Sequence, residues 1–455
     1  MSKVSFAGKR MLVAGAGVSG VAVAQILQRK GALVTLQDAK TLDELGDRVK
    51  NLQQQGIKLA LGQQNEILVS DFDYIVVSPG ISIYSPLVLA AEKQGVEVIS
   101  EVEVAYRLCP APILAITGTN GKTTTTTLVG EMVKTTGKRV VVGGNIGKAL
   151  SLEVEDVTEQ DLVVAEISSF QLEGARTFRP VVAAVLNVTP DHLDRHKTMQ
   201  NYMAMKSRIF TNQLSQDYVV ANYDDPLVRD MMEKAVSQVV YFSRKTELEQ
   251  GVFLKDDIIT IAWQGKTHPV CSIHTLRIIG SHNVENALAA CGMAFFAGVQ
   301  VSDMAAVLGR FEGVEHRIER VATVRQVTYY NDSKATNPES SIKALEAFRG
   351  HVILLAGGRD KHTDLTEFMK LVKEKVDCLI LIGEAGERFA QAAREHQVEH
   401  IERADSMAAA VQLAHDMAQP HQVVLLSPAC ASYDMFRNYE ERGRVFKELV
   451  HRLSS

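Results

Sequence analysis

The sequence predicts an α/β protein of three domains, each built on a mainly parallel sheet. Short apolar runs end in Gly-rich turns and give way to helical periodicity, and this unit recurs along the whole chain. The prolines of Cys109-Pro110-Ala111-Pro112 break both helix and strand and mark a linker. The length, 455 residues, allows two to four domains at roughly 100–200 residues each. The expected division is 1–108, 109–313 and 314–455.

In the first set, Arg10–Ala14 leads into Gly15, a strand over 32–37 ends at Asp38, and Tyr74–Val77 ends in Ser78-Pro79-Gly80. A second set opens with a strand over 113–116, followed by Gly118-Thr119-Asn120-Gly121-Lys122-Thr123-Thr124 and a helix. Further strands over 140–142, 162–165 and 181–186 end in Gly143-Gly144-Asn145, Glu166 and Asn187. The third set has strands over 351–356, 378–382 and 422–426, ending in Gly357-Gly358, Gly383 and Ser427-Pro428. In open parallel sheets, functional groups gather beyond the carboxyl ends of the strands. Nearly every residue singled out below falls there.

Composition narrows the function classes. Apolar residues make up 46% of the chain and charged residues 23%, an ordinary globular balance. A formal net charge of −5, with no long run of one sign, argues against a nucleic-acid binder. Five scattered cysteines with no CxxC pair suggest reduced thiols in a cytosolic protein, not a zinc site or a disulfide framework. The first ten residues are polar, and no apolar stretch reaches the ~18 residues of a membrane span. A cytoplasmic monomer is the expectation.

The strongest local motif is the loop at 118–124. Small residues let backbone N–H groups converge on phosphate oxygens, Lys122 supplies a point charge, and Thr123 offers a hydroxyl to Mg²⁺. The loop opens a helix, whose positive end favours an anion. Position 116 is Ile, where the standard pattern has Gly, so this is a variant phosphate loop. Gly15-Ala16-Gly17-Val18-Ser19-Gly20 matches GxGxxG after a strand, with Asp38 ending the next strand. This predicts a Rossmann-like first domain whose helix faces a pyrophosphate. A nicotinamide dinucleotide and a UDP-sugar satisfy the same physics, and a tight turn with no ligand is the structural alternative.

Glu166 ends a strand expected to neighbour the phosphate loop, where an acid holds Mg²⁺ directly or through water. The alternative is an acid capping a helix. His192, in Asp191-His192-Leu193-Asp194, is a loop histidine unless the phosphate loop and Glu166 lie beside it. Lys206 sits on a predicted helix, where a lysine is ordinarily solvated.

Together these residues resemble the Mur ligases. The matching segments run in order along nearly the whole chain: GTNGKTT at 118–124, Glu166 to Glu173, Asn187 to Arg195, Lys206, Ser281-His282-Asn283 with Asn286, Glu315-His316-Arg317, Asn331 to Asn337, Gly357 to Lys361, and Ser427 to Ser432. The SSFQLE and NDSKATN stretches and the GAGVSG turn point to the D-glutamate-adding branch. The resemblance implies a three-domain ligase of peptidoglycan precursor synthesis with a central P-loop ATPase-like domain and a Rossmann-like third domain. It implies that ATP phosphorylates the alanyl carboxylate of UDP-N-acetylmuramoyl-L-alanine, and that the amine of D-glutamate displaces the phosphate.

Site residues follow from the same resemblance. Lys122, Glu166, His192 and Lys206 match the catalytic set. Thr123, Glu166, His192 and Lys206 match the Mg²⁺ set, with Lys206 carbamylated by CO₂. Gly118 to Thr124, Asn283, Asn286, Arg317 and Asp332 match ATP contacts. Gly17, Val18, Ser19, Asp38, Ser78, Gly80, Asn145, Ser168 and Gln171 match UDP-substrate contacts. His192, Lys334, Thr336, Lys361, Ser432 and Tyr439 match D-glutamate contacts. Three alternatives compete. A sister ligase adding a diamino acid needs an acid for the distal amine, where these positions offer lysines. A nicotinamide oxidoreductase leaves the phosphate loop unexplained. A nucleotide-binding module without chemistry leaves Lys122, Glu166 and Lys206 unexplained. Substrate sites on separate domains imply closure about a hinge near 309–315.

Overall fold

A computed structural model describes residues 5–62, 69–360 and 362–453. It contains three sheets, as the strand pattern predicts. The first holds β1 (Arg10–Ala14), β2 (Leu33–Asp38), β3 (Lys58–Leu61), β4 (Tyr74–Val77) and β5 (Glu97–Ser100), in the order β3-β2-β1-β4-β5. Every pairing in it is parallel. Buried Met11, Val13, Leu36, Val76 and Ile99 pack between this sheet and its helices.

The second sheet holds β6 (Ile113–Thr117), β7 (Val140–Gly144), β8 (Leu162–Glu166), β9 (Val182–Val185), β10 (Tyr218–Asn222), β11 (Gln238–Ser243), β12 (Gly251–Lys255), β13 (Ile258–Trp263) and β14 (Lys266–Ser272). Their order is β14-β13-β12-β11-β10-β9-β6-β8-β7. The pairings from β7 across to β12 are parallel, whereas β12-β13-β14 form an antiparallel meander at the edge. The third sheet holds β15 (Glu319–Val324), β16 (Val327–Asn331), β17 (Val352–Gly357), β18 (Val376–Ile382), β19 (Ile401–Arg403) and β20 (Val423–Leu426), in the order β15-β16-β20-β17-β18-β19. Only the β15-β16 hairpin is antiparallel.

Most strands run one residue beyond or short of their sequence-predicted ends. Asp38, Thr117, Glu166 and Gly357 still pair in the sheet, whereas 181 and 186 do not. The ladder hydrogen bonds, and not the apolar run, set where a strand stops. The chain divides into two compact units, residues 1–275 with 285–308, and residues 276–284 with 309–455. The first unit carries the first two sheets, and the second unit carries the third.

The turn after β1 shows why its glycines are needed. Gly15 has φ +95, and a Cβ on Gly20 would lie 1.8 Å from the Gly15 carbonyl oxygen. Gly20→Ala is therefore expected to destabilise the first unit by about 3 kcal/mol, the upper end of ordinary overpacking costs. Urea unfolding followed by far-UV circular dichroism checks this.

Candidate active site

The phosphate loop leaves the carboxyl end of β6, in the middle of the second sheet. Gly121 caps the helix Lys122–Lys134 with φ +84. A Cβ there would lie 2.2 Å from Asn286 Oδ1, so only glycine lets the loop close on Asn286. The loop is stitched to the segment after β9: Thr119 N donates to Asn187 O (2.9 Å), Asn120 N to Asn187 Oδ1 (2.8 Å), and Asn187 Nδ2 to Asn120 O (3.1 Å). Thr123 and Thr124 are buried in the first helical turn.

Two lysines meet at this loop. Lys122 Nζ donates to Gly118 O (3.0 Å) and Thr119 O (2.8 Å). Lys206 lies on the helix Met199–Thr211 and is 1% exposed. Its Nζ donates to the same Gly118 O (2.8 Å) and sits 4.5 Å from the centre of the Tyr202 ring. Tyr202 OH in turn lies 3.2 Å from Thr119 Oγ1. Burial, with Lys122 nearby, holds the Lys206 amine well below the usual lysine range. A buried amine of lowered basicity spends more time neutral, and so nucleophilic.

Glu166 ends β8 opposite Ile116 of β6, which puts it beside the root of the phosphate loop. It is 2% exposed. Oε1 accepts from Asn145 Nδ2 (2.8 Å), while Oε2 is buried and has no hydrogen-bond partner. Glu166 does not cap a helix; Ser168 caps the next one. A buried, unpartnered carboxylate oxygen beside a loop built for phosphate fits a hard divalent cation. His192 lies on the turn after β9 with φ +53, exposed, its ring 4.7 Å from that of Phe170.

At the carboxyl edge of the first sheet, Asp38 Oδ2 accepts from Ala16 N (2.7 Å) and Oδ1 from Lys40 N (2.9 Å). Ser78 Oγ donates to Gly15 O (2.8 Å). Gly17, Val18 and Gly80 are exposed beside them and Ser19 is half-buried. Asp38 and Ser78 thus brace the turn itself. Ser168 and Gln171 form a reciprocal capping box, with Gln171 Oε1 accepting from Ser168 N (2.9 Å) and Oγ (3.0 Å).

One residue ties this edge to the His192 turn, and the motif reading gave it no role. Arg195 donates to Pro79 O (2.6 Å) and Ile81 O (2.7 Å), grips Glu173 through Nε (2.9 Å) and Nη2 (2.5 Å), and lies over Phe170 at 4.3 Å. The signal was a bidentate-capable Arg within a matched segment, but its carbonyl partners carry no side-chain signature.

Other expected residues belong to the second unit. Asn283 Nδ2 donates to Ile279 O (2.7 Å). The Arg317 Nε is buried without a hydrogen-bond partner. Asp332 accepts from Ser427 Oγ (2.7 Å) and Ile318 N (3.2 Å). Burial pushes its carboxyl up to about 7 despite the Ser427 hydrogen bond and the Arg317 charge. Lys334 N donates to His316 O (3.1 Å), and Lys334 Nζ sits 5.8 Å from the centre of the Tyr439 ring. Thr336 N donates to Lys334 O (2.9 Å). Ser432 is buried, with its Oγ unpartnered. Lys361 lies outside the described residues. The structure therefore brings together Gly118 to Thr124, Lys122, Glu166, Asn145, Lys206 and Asn286 in the first unit, and groups Arg317, Asp332, Lys334, Thr336, Ser432 and Tyr439 around the third sheet.

Comparison with known proteins accounts for this arrangement. A Mur ligase MurD-like N-terminal domain matches residues 9–100, a Mur ligase middle domain 116–294, and a Mur ligase glutamate ligase domain 316–430. A UDP-N-acetylmuramoylalanine–D-glutamate ligase from Pelotomaculum thermopropionicum is 48% identical over 445 residues, covering 98% of both chains. One from a Thermoanaerobacter species is 46% identical over 448 residues, covering 98% of this chain and 99% of its own. The chain belongs to the Mur ligase family. It is thus an ATP-dependent, amide-bond-forming enzyme. Among solved structures, a pseudomurein peptide ligase type C from Methanothermus fervidus shares the fold, with a TM-score of 0.60 at 19% identity, covering 98% of this chain and all (100%) of its own. A UDP-N-acetylmuramate-alanine ligase from Thermotoga maritima has a TM-score of 0.59 at 19% identity, covering 98% and 99%. The family match sets aside the nicotinamide reading of the GxGxxG turn. No helix among the described residues is long and apolar enough to cross a membrane.

Two outcomes are expected of this Mur ligase. Glu166→Gln keeps the shape of the side chain but removes its charge, and should lower kcat at least ~100-fold, the upper size for losing groups around a metal, with an unchanged circular dichroism spectrum. The second concerns Asp332. Its carboxyl is protonated in the folded chain and ionised in the unfolded chain between the ordinary 3.8 and about 7. The folded state binds more protons there, so this group lowers stability as pH rises through that window. Asp332→Asn should remove the decline. The melting temperature of the variant relative to the parent, measured without ligands, should rise from pH 4 to pH 7.

Proposed function

We propose that this Mur ligase joins D-glutamate to the alanyl carboxylate of UDP-N-acetylmuramoyl-L-alanine at the expense of ATP, in peptidoglycan precursor synthesis. The observation that carries the acceptor is near-full-length identity of 46–48% to ligases named for that reaction. The phosphate loop with buried Lys206 and Glu166 supports the activation step.

The chemistry needs two stages because a carboxylate is a poor electrophile. An oxygen of the alanyl carboxylate attacks the γ-phosphorus of ATP, ADP departs, and an acyl phosphate results. The amine of D-glutamate then adds to the acyl carbon, and phosphate leaves as the amide forms. With the N–H groups of Thr119 and Asn120 kept on Asn187 to fix its shape, the turn of Gly118 to Thr124 receives the ATP phosphates. Lys122 leaves the carbonyls of Gly118 and Thr119 to neutralise them. Thr123, Glu166, His192 and Lys206 would hold Mg²⁺, which would supply charge neutralisation among the converging phosphates. The lowered basicity of Lys206 suits it to take up CO₂ as a carbamate, turning a cation into an anionic ligand.

The sites divide over the proposed domains 1–108, 109–313 and 314–455. The turn at Gly17 to Ser19, with Asp38, Ser78 and Gly80, receives the UDP part, and Asn145, Ser168 and Gln171 the sugar-alanyl end. Asn283, Asn286, Arg317 and Asp332 contact the adenine nucleotide. Lys334, Thr336, Lys361, Ser432 and Tyr439, with His192, receive D-glutamate; two lysines suit a dicarboxylate. The enzyme works as a monomer in the cytoplasm, where ATP is at hand, and its product feeds cell-wall growth and division.

The test is phosphate release from ATP with UDP-N-acetylmuramoyl-L-alanine and Mg²⁺, comparing D-glutamate with L-glutamate, L-lysine and diaminopimelate. Release with D-glutamate alone, and a UDP-sugar heavier by one glutamyl residue in the mass spectrum, is the expected outcome. Release with another amino acid overturns the acceptor and keeps the chemistry.

A further inference from the structure

Among the described residues, Arg442, in the helix Tyr439–Arg452, heads the largest fully buried side chains at 1% exposure. Its guanidinium donates from Nε to Ser333 Oγ (2.9 Å), from Nη2 to Ser333 O (2.8 Å), and from Nη1 to Cys430 O (3.1 Å) and Ala431 O (3.3 Å). Every acceptor is a carbonyl or a hydroxyl, and none is a carboxylate. Burial lowers the group only to about 10, so it stays cationic at neutral pH. The Asp434 and Asp332 carboxyl groups lie near enough to support the charge, but neither is hydrogen-bonded to it, and a buried charge held by neutral acceptors asks for a reason.

Its partners supply one. Ser333 lies between Asp332 and Lys334, at the carboxyl end of β16. Cys430 and Ala431 directly precede Ser432, whose buried Oγ has no partner. The loop after β17 closes on the same point: Arg359 N donates to Ala431 O (2.9 Å), and a Cβ on Gly358 would lie 2.3 Å from that oxygen and 3.2 Å from Arg442 Nη1. Three loops from three adjacent strands thus meet on one guanidinium.

The rest of the helix face continues the pattern. Tyr439 O accepts from Ser333 Oγ (2.9 Å). A Cβ on Gly443 would lie 2.2 Å from His316 Nδ1, so glycine there admits the imidazole, which Asn331 Nδ2 also meets at 2.9 Å. Lys447 bridges Glu315 (3.0 Å) and Glu319 (2.5 Å), filling the one cluster of His and acidic groups, among the described residues, with the spacing of a metal site.

We infer that Arg442 is a positioning residue for the incoming amino acid. It locks the Lys334–Thr336 loop and the Ser432 loop in one register, so that both present their side chains to the same ligand. The inference rests on the D-glutamate reading. Lysine at this position keeps the charge but reaches one acceptor where the planar fork reaches four.

The experiment is steady-state kinetics of full-length Arg442→Lys, with separate KM values for D-glutamate, the UDP-substrate and ATP. The D-glutamate KM should rise about tenfold, short of the ~100-fold cost of a 1 Å misplacement, while the other two stay within about twofold. An unchanged D-glutamate KM, or all three rising together, overturns the proposal. If Arg442→Lys does not fold, Ser333→Ala carries the test by removing the hydroxyl that accepts from Nε. It should raise the D-glutamate KM alone by about threefold, the low end of the net worth of one ordinary hydrogen bond, and no selective change overturns the proposal. A parent enzyme inactive with D-glutamate counts against the acceptor reading, whatever the variants do.

Discussion

Two lysine amines donate to a single backbone carbonyl, that of Gly118, and the first unit is organised around making this possible. A cation as buried as Lys206 tolerates its position only with a fixed acceptor and reduced basicity. The acceptor is fixed because Gly118 lies in a loop whose neighbours are tied to Asn187 and whose helix start is closed against Asn286. The strand order β9-β6-β8 brings the segment after β9 and the carboxylate of Glu166 to either side of that loop. Remove the stitching and the two amines lose the shared acceptor that holds them close.

Much of this was legible in the sequence, because parallel strands buried on both faces read as apolar runs that end abruptly in glycine or a polar residue. Glu166 beside the phosphate loop, Lys206 on a helix and the turn at Gly15 to Gly20 all followed from that. The antiparallel edge β12-β13-β14 did not. Its strands carry Lys255, Lys266 and His268 and face solvent in part, so they lack the continuous apolar signature. Arg195 and Arg442 were illegible for a different reason. Several of their partners are backbone carbonyls, and a carbonyl has no letter in the sequence. Asp38, Ser168 and Gln171 show the converse: residues read as facing a ligand also hold a turn and a cap in place.

The second unit repeats the strategy with the signs rearranged. Asp332 is kept from ionising freely by burial, while Arg442 keeps its charge with hydrogen bonds to carbonyls and a hydroxyl alone. Asp332 follows the end of β16, and Arg442 reaches the loops after β16 and β20 from the helix behind them, while β16, β17 and β20 supply Tyr329, Leu354 and Leu425 to the core. The apolar sheet fixes positions, and the loops just beyond it place the charges.

The brace formed by Asp38 and Ser78 on the turn after β1 has a thermodynamic consequence. The backbone N–H of Ala16 and the carbonyl of Gly15 already have their partners within the protein. The conformational entropy of this turn was therefore surrendered during folding, so a ligand of the kind proposed for it would spend none of its interaction energy on ordering the segment. The cost of the turn's shape is charged to the stability of the first sheet.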